Sequence, residues 1–76
     1  RSMSRKRIKS KVEDLLFRIA QCYANTEDTV LIDLAEEAYQ RGELWLLSVE
    51  SGIDSEKSYD LFIQSYLDLV DYDERN

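Results

Sequence analysis

Between residues 4 and 24 the apolar side chains Ile8, Val12, Leu15, Leu16, Ile19, Cys22 and Tyr23 recur at steps of three and four, with Arg18 and Gln21 on the other side. That spacing gathers one stripe on a helix of 3.6 residues per turn, so it predicts a first amphipathic helix over roughly 4–24. A second stripe follows over 27–51, where Leu31, Leu34, Ala35, Ala38, Gly42, Trp45, Leu46 and Val49 share a face. A third, over 55–72, is made by Tyr59, Phe62, Ile63, Tyr66, Leu67 and Val70. No sustained apolar–polar alternation and no Asn-Gly or Asp-Gly pair marks a strand or hairpin.

The breaks between the stripes carry their own chemistry. Asn25 and Thr26 are suited to cap the second helix, because their side-chain oxygens can accept from amides two or three residues on. Glu27 and Asp28 would then fall in its first turn, where negative charge is favoured. Gly52 follows the last apolar position and suits the left-handed residue that ends a helix, with Ile53 making the apolar contact that accompanies it. Asp54 or Ser55 caps the third helix. Its acidic end, residues 71–76, opposes the helix dipole and is expected to fray. Gly42 either breaks the second helix or lets a neighbour come close. The period continues in phase through Glu43 and Leu44, which favours one continuous helix, although a mid-helix glycine costs about 1 kcal/mol relative to alanine. Three amphipathic helices with short links predict an all-α fold, a small antiparallel up-down-up bundle with the second helix at its centre.

Size raises the question of what completes the core. A chain of 76 residues makes one domain and buries only about 60% of the surface its unfolded form exposes. The single cysteine cannot pair within the chain, and without histidine a structural zinc site lacks ligands. Packing or self-association remains, and a dimer is expected. A lone cysteine, the lack of a secretory apolar segment and the lack of a long apolar run predict a cytoplasmic protein with no membrane span. Met3 reads as the native start, with Arg1-Ser2 a cloning remnant.

The net charge of −6 hides an asymmetry. Residues 1–11 form a basic arm of six cations without an acid, leaving four bases against all sixteen acids in an acidic domain over 12–76. Opposite charge in two parts of one chain steers association with charged partners, a second copy included.

Catalytic chemistry finds little footing. The carboxylate pairs Glu36–Glu37, Asp33–Glu37 and Asp68–Asp71 are what any solvated acidic helix displays, and no serine elbow or histidine joins them. Residues 54–60 alternate acids like the start of a calcium loop, but Tyr59 stands at its glycine position and Ser65 at its glutamate position. Cys22 lies on the apolar stripe and reads as core filler. The chain therefore reads as no enzyme, with no metal or cofactor. Most aromatics fall at core spacing, with Tyr39 and Tyr72 the most exposed. Ala38-Tyr-Gln-Arg-Gly42-Glu-Leu is similar to the turn of a tetratricopeptide repeat, yet no second copy follows at that period.

What stands out is apolar surface in excess of the core. Ile32, Leu44 and Leu47 point away from the second helix's stripe, and Leu61 and Leu69 lie just off the third's. A central helix touching two neighbours can be apolar over a wide arc. Several large aliphatics on one short helix favour an interface instead. The expected contact set is Ile32, Tyr39, Leu44, Leu47, Leu61 and Leu69, with an acidic rim. The function this predicts is regulatory or adaptor protein binding, to a second copy or another protein. The alternative is a nucleic-acid-associated regulator using Arg5, Lys6, Arg7, Lys9 and Lys11, five bases in seven residues that could neutralise phosphates.

Overall fold

The structure is a computed structural model that describes residues 5–53 and 55–75, with the backbone alone described at Arg5 and Lys6. It has three helices, and no strand occurs among the described residues: α1 at Arg5–Ala24, α2 at Thr29–Glu50 and α3 at Glu56–Arg75. The predicted spans hold to within a few residues. Ser4 and the proposed cap Asp54 lie outside the described residues.

The start of α2 falls later than its capping pattern suggested, and the reason is visible bond by bond. Asp28 is the N-cap, with extended backbone at φ −74° and ψ 112°. Its Oδ1 accepts from the amides of Val30 at 2.9 Å and Leu31 at 3.4 Å. Thr26 Oγ1 accepts instead from the Asp28 amide at 3.2 Å, and Asn25 turns back to donate from Nδ2 to the Gln21 carbonyl at 2.8 Å. Both helix ends here leave backbone groups without intrahelical partners, and these three side chains share the task of meeting them. No acid is left for the first turn of α2.

At its other end α2 stops as the glycine predicts. Gly52 takes φ 74°. Its amide donates to the Val49 carbonyl at 3.2 Å, and the Ile53 amide donates to the Ser48 carbonyl at 3.0 Å. This is the paired closure of a Schellman motif. Ile53, expected to make an apolar contact here, has an exposed side chain.

The core is Val12, Leu16 and Ile19 from α1, Leu31, Ala35, Ala38 and Trp45 from α2, and Phe62 and Leu69 from α3. α2 packs against both neighbours, whereas no described Cα of α1 comes within 8 Å of one in α3. Gly42 lies unbroken within α2 and shows why. A Cβ there would stand 2.5 Å from Leu16 Cδ2 and 2.9 Å from Phe62 Cε1. Side chains of α1 and α3 thus converge over the one position of α2 that has none. Lys9 Nζ meets Glu50 Oε2 at 3.1 Å, joining the start of α1 to the end of α2. Tyr72 Oη donates to Asp28 Oδ2 at 2.7 Å, joining the end of α3 to the start of α2.

α3 departs most from its predicted face. Phe62, Ser65 and Leu69 are its buried residues, while Leu67, predicted to be core, is 54% exposed. Hydropathy alone sends Ser65 outward. In the fold its Oγ accepts from Arg41 Nη1 at 2.6 Å, so a small hydroxyl is satisfied where α2 and α3 are close. Turning Ser65 inward carries Leu69 in and Leu67 out. The acidic end of α3, expected to fray, is helical here. The helix runs to Arg75, whose Nη2 pairs with Asp71 Oδ2 at 3.2 Å, and Tyr72 ties it to α2.

Candidate interaction surface

Three of the six residues expected at an interface are exposed on adjacent helices. Leu44 is 58% exposed, Leu47 60% and Leu61 49%. The two leucines of α2 stand three residues apart, nearly one helical turn, on the side away from Gly42. Arg41 meets Ser65 across the α2–α3 contact, and the rings of Trp45 and Tyr59 lie 5.5 Å apart. That register sets Leu44 level with Leu61. The three side chains form a ridge along the outer side of the α2–α3 pair, and such an apolar patch is what marks contact surfaces.

The other three do not belong to it. Leu69 is 4% exposed and part of the core, on the side of α3 that also carries the buried Phe62 and Ser65. Tyr39 is half-buried, its ring edge-on to Tyr23 with centroids 6.4 Å apart, and Tyr72 is likewise half-buried by its bond to Asp28. Ile32 is half-buried as well. Phe17 and Val30, which lie off the predicted stripes of their helices, are exposed as well.

The polar residues beside the ridge are partly committed. Arg41 bridges Ser65 and, through Nη2 at 3.2 Å, Glu37 Oε1 one turn earlier. Glu43, Asp60 and Asp68 are exposed. Among the cations expected to meet nucleic acid, Lys9 is held by Glu50, while Arg7 and Lys11 are exposed on the first turns of α1. The side chains of Arg5 and Lys6 lie outside the described ones.

Two further features carry chemistry of a quieter kind. Where α1 and α3 diverge, a cleft of about 130 Å³ is lined by Arg18, Ile19, Cys22, Tyr66, Leu69, Val70 and Asp73. Burial, and then the charge of Asp73, push the Cys22 thiol above its ordinary value, which disfavours the thiolate that nucleophilic or redox chemistry requires. At the same end of the molecule the hydrogen bond from Tyr72 lowers the Asp28 carboxyl, opposed by desolvation and helped by the amides of Leu31 and Val30. The same bond, with desolvation and the Asp28 charge, raises the Tyr72 hydroxyl. Among the described residues no three metal-ligating side chains come together, and no helix is long and apolar enough to cross a membrane. Set against protein-family models, curated proteins and solved structures, the chain matches none of them.

Proposed function

We propose that this chain is a small non-catalytic protein of the regulatory or adaptor kind that acts by binding protein, with the α2–α3 ridge as its contact and a second copy of the chain as the occupant. The observation that carries the reading is the level placement of Leu44, Leu47 and Leu61, about half or more of each left in water. Covering an aliphatic side chain of this size fully is worth about 1.5–3 kcal/mol, so the half still exposed represents about 1 kcal/mol each. A second copy supplies burial that so short a chain lacks, and completes the antiparallel three-helix bundle as a dimer. A contact of ordinary size takes about 800 Å² per partner, a modest share of the 5745 Å² surface.

The reading is non-catalytic because the paired carboxylates Asp33, Glu36, Glu37, Asp68 and Asp71 are exposed and burial raises the Cys22 thiol, disfavouring its thiolate. Nucleic-acid binding is less well supported, since Lys9 is already engaged by Glu50 within the chain. A reducing, cytoplasmic setting suits the unpaired Cys22.

Sedimentation equilibrium tests the proposal. The expected result is a reversible dimer at micromolar concentration, monomeric on Leu44→Glu or Leu47→Glu with helical circular dichroism intact. A wild-type monomer at millimolar concentration would falsify it.

A further inference from the structure

Leu61 of the ridge and Val70 of the cleft between α1 and α3 are nine residues apart, about two and a half helical turns, so ridge and cleft lie on opposite sides of α3. The apolar stripes that line the cleft run on toward the start of both helices. On α1, Cys22 lines it, and Leu15 and Ile8 follow at steps of seven, all three half-buried. On α3, Tyr66 and Val70 line it, and Ile63 shares their stripe and their half-burial. No described Cα of α1 lies within 8 Å of one in α3, so these stripes flank a groove that neither helix closes. The two walls differ in charge. Arg18 lines the cleft from α1, with Lys11 and Arg7 two and three turns before it on the same side. Asp14 is the acid nearest them, and Glu13 falls on the opposite side of the helix. Asp73 lines the cleft from α3, and the flank beside it sets Glu56, Asp60 and Glu74 around the exposed Leu67 at steps of four and seven. The bases of α3, Lys57 and Arg75, fall on the Leu61 side instead, and Arg75 is held by Asp71. Arg18 and Asp73 thus face one cleft with opposite charge, and among the described residues neither is in an ion pair.

We propose that this groove takes one amphipathic helix of a partner protein, with its apolar edge on Leu15, Cys22, Tyr66 and Val70, an acidic flank along Arg18 and Lys11, and a basic flank along Asp73 and Glu74. A helix laid between α1 and α3 completes a four-helix bundle around a shared apolar core. Grooves of this kind hold their helix by apolar anchors at steps of three and four. Complementary charge along the flanks then decides which helix is accepted. The occupant is a different protein, since α1, α2 and α3 each spend their main apolar stripe on the core of this chain. The groove adds a second contact surface to the ridge and does not rest on it. A chain that pairs with itself on one side and takes a helix on the other has the two faces an adaptor requires.

The test uses three synthetic helices with one common leucine stripe, each of about 18 residues so as to span Ile8 to Cys22. The first carries glutamate along one flank and lysine along the other, the second lysine on both, the third glutamate on both. Binding is read by fluorescence anisotropy of the labelled helix and by the rate at which iodoacetamide alkylates Cys22, which lines the groove. The mixed-flank helix should bind tightest and slow the alkylation several-fold. Arg18→Glu should weaken it by about three- to tenfold and strengthen the all-lysine helix by a similar factor. Lys57→Glu changes the net charge equally on the other side of α3 and should alter neither. Equal affinity of the mixed and all-lysine helices for the wild type, or an Arg18→Glu variant without effect, would reduce the attraction to net charge and overturn the proposal. Binding that leaves Cys22 as reactive as before would put the helix elsewhere, and no binding of any of the three would leave the groove without this occupant; either result overturns it too. The ridge dimer survives all of these outcomes, because its residues lie on the other side of α3. If Arg18→Glu costs helical signal, Arg18→Gln carries the same expectation at smaller size.

Discussion

Gly42 and Leu44 stand two residues apart on α2 and divide the labour of that helix between them. Gly42 has no side chain and is buried, because Leu16 and Phe62 already fill the space above it. Leu44 has a large apolar side chain and keeps most of it in water. On the inner face, Ala35, Ala38 and Gly42 give up bulk so that two neighbouring helices can lie close. On the outer face, Leu44 and Leu47 keep bulk that no part of the chain covers. Burial on α2 follows the direction of a position and the space there, and hydropathy tracks it poorly. The inner face holds the fold together, and the outer one is available for a partner.

Substitutions should separate those two roles, beginning with the inner face. Phe62→Ala empties the position packed over Gly42 and should cost about 3–5 kcal/mol, much of the stability a domain of this size has, read as a large fall in the thermal midpoint. Gly42→Leu presses on the same place from the other side. Leu16 and Phe62 are themselves buried and cannot yield cheaply, so overpacking of about 3 kcal/mol should outweigh the helix propensity regained, which is about 1 kcal/mol. If urea unfolding showed Gly42→Leu to be neutral, the close approach of the three helices at this level would be wrong. Between the two faces lies Ser65, whose replacement by alanine removes the acceptor of Arg41 and should cost about 1 kcal/mol. A rise in stability would mean that Arg41 prefers water.

The bond from Tyr72 to Asp28 predicts a pH dependence with two limbs. Asp28 is lowered in the folded state, so its contribution is present above the ordinary carboxylate value and lost as pH falls through the lowered one. Tyr72 is raised, so its contribution is whole below the ordinary tyrosine value and lost as pH climbs through the raised one. Tyr72→Phe should abolish the alkaline limb and move the Asp28 titration upward, which carbon-detected NMR of the carboxylate can follow. Leu44→Ala should have the smallest effect on folding, within about 0.5 kcal/mol in the monomer. A larger loss would place Leu44 in the core and dissolve its contrast with Gly42.

How legible each part was depended on whether its cause was local. The stripes of α1 and α2 were readable because their buried positions are apolar or small and keep helical period throughout, Gly42 included. The stop at Gly52 was readable because only a glycine takes that φ easily. The start of α2 was less so: Asn25, Thr26 and Asp28 can all cap a helix, and the one that does is Asp28, whose other carboxylate oxygen accepts from Tyr72, forty-four residues away. The face of α3 was misread for a similar reason. Ser65 looks outward until Arg41, twenty-four residues earlier, is placed against it. Of the expected contact set, Leu44, Leu47 and Leu61 are exposed, Leu69 is buried with Leu67 exposed in its place, and Ile32 and Tyr39 are half covered by neighbours that the helical period of α2 alone does not reveal.

The amino-acid order by itself determined that this chain forms three helices and roughly where they end, because periodicity and a positive-φ glycine act within a few residues. It also determined that more apolar surface exists than one core face needs. Only the tertiary structure decided which of that surface stays in water. The buried face of each helix is the one that fits its neighbours, as Leu16 and Phe62 fit the space over Gly42, and such fits join residues the chain keeps far apart.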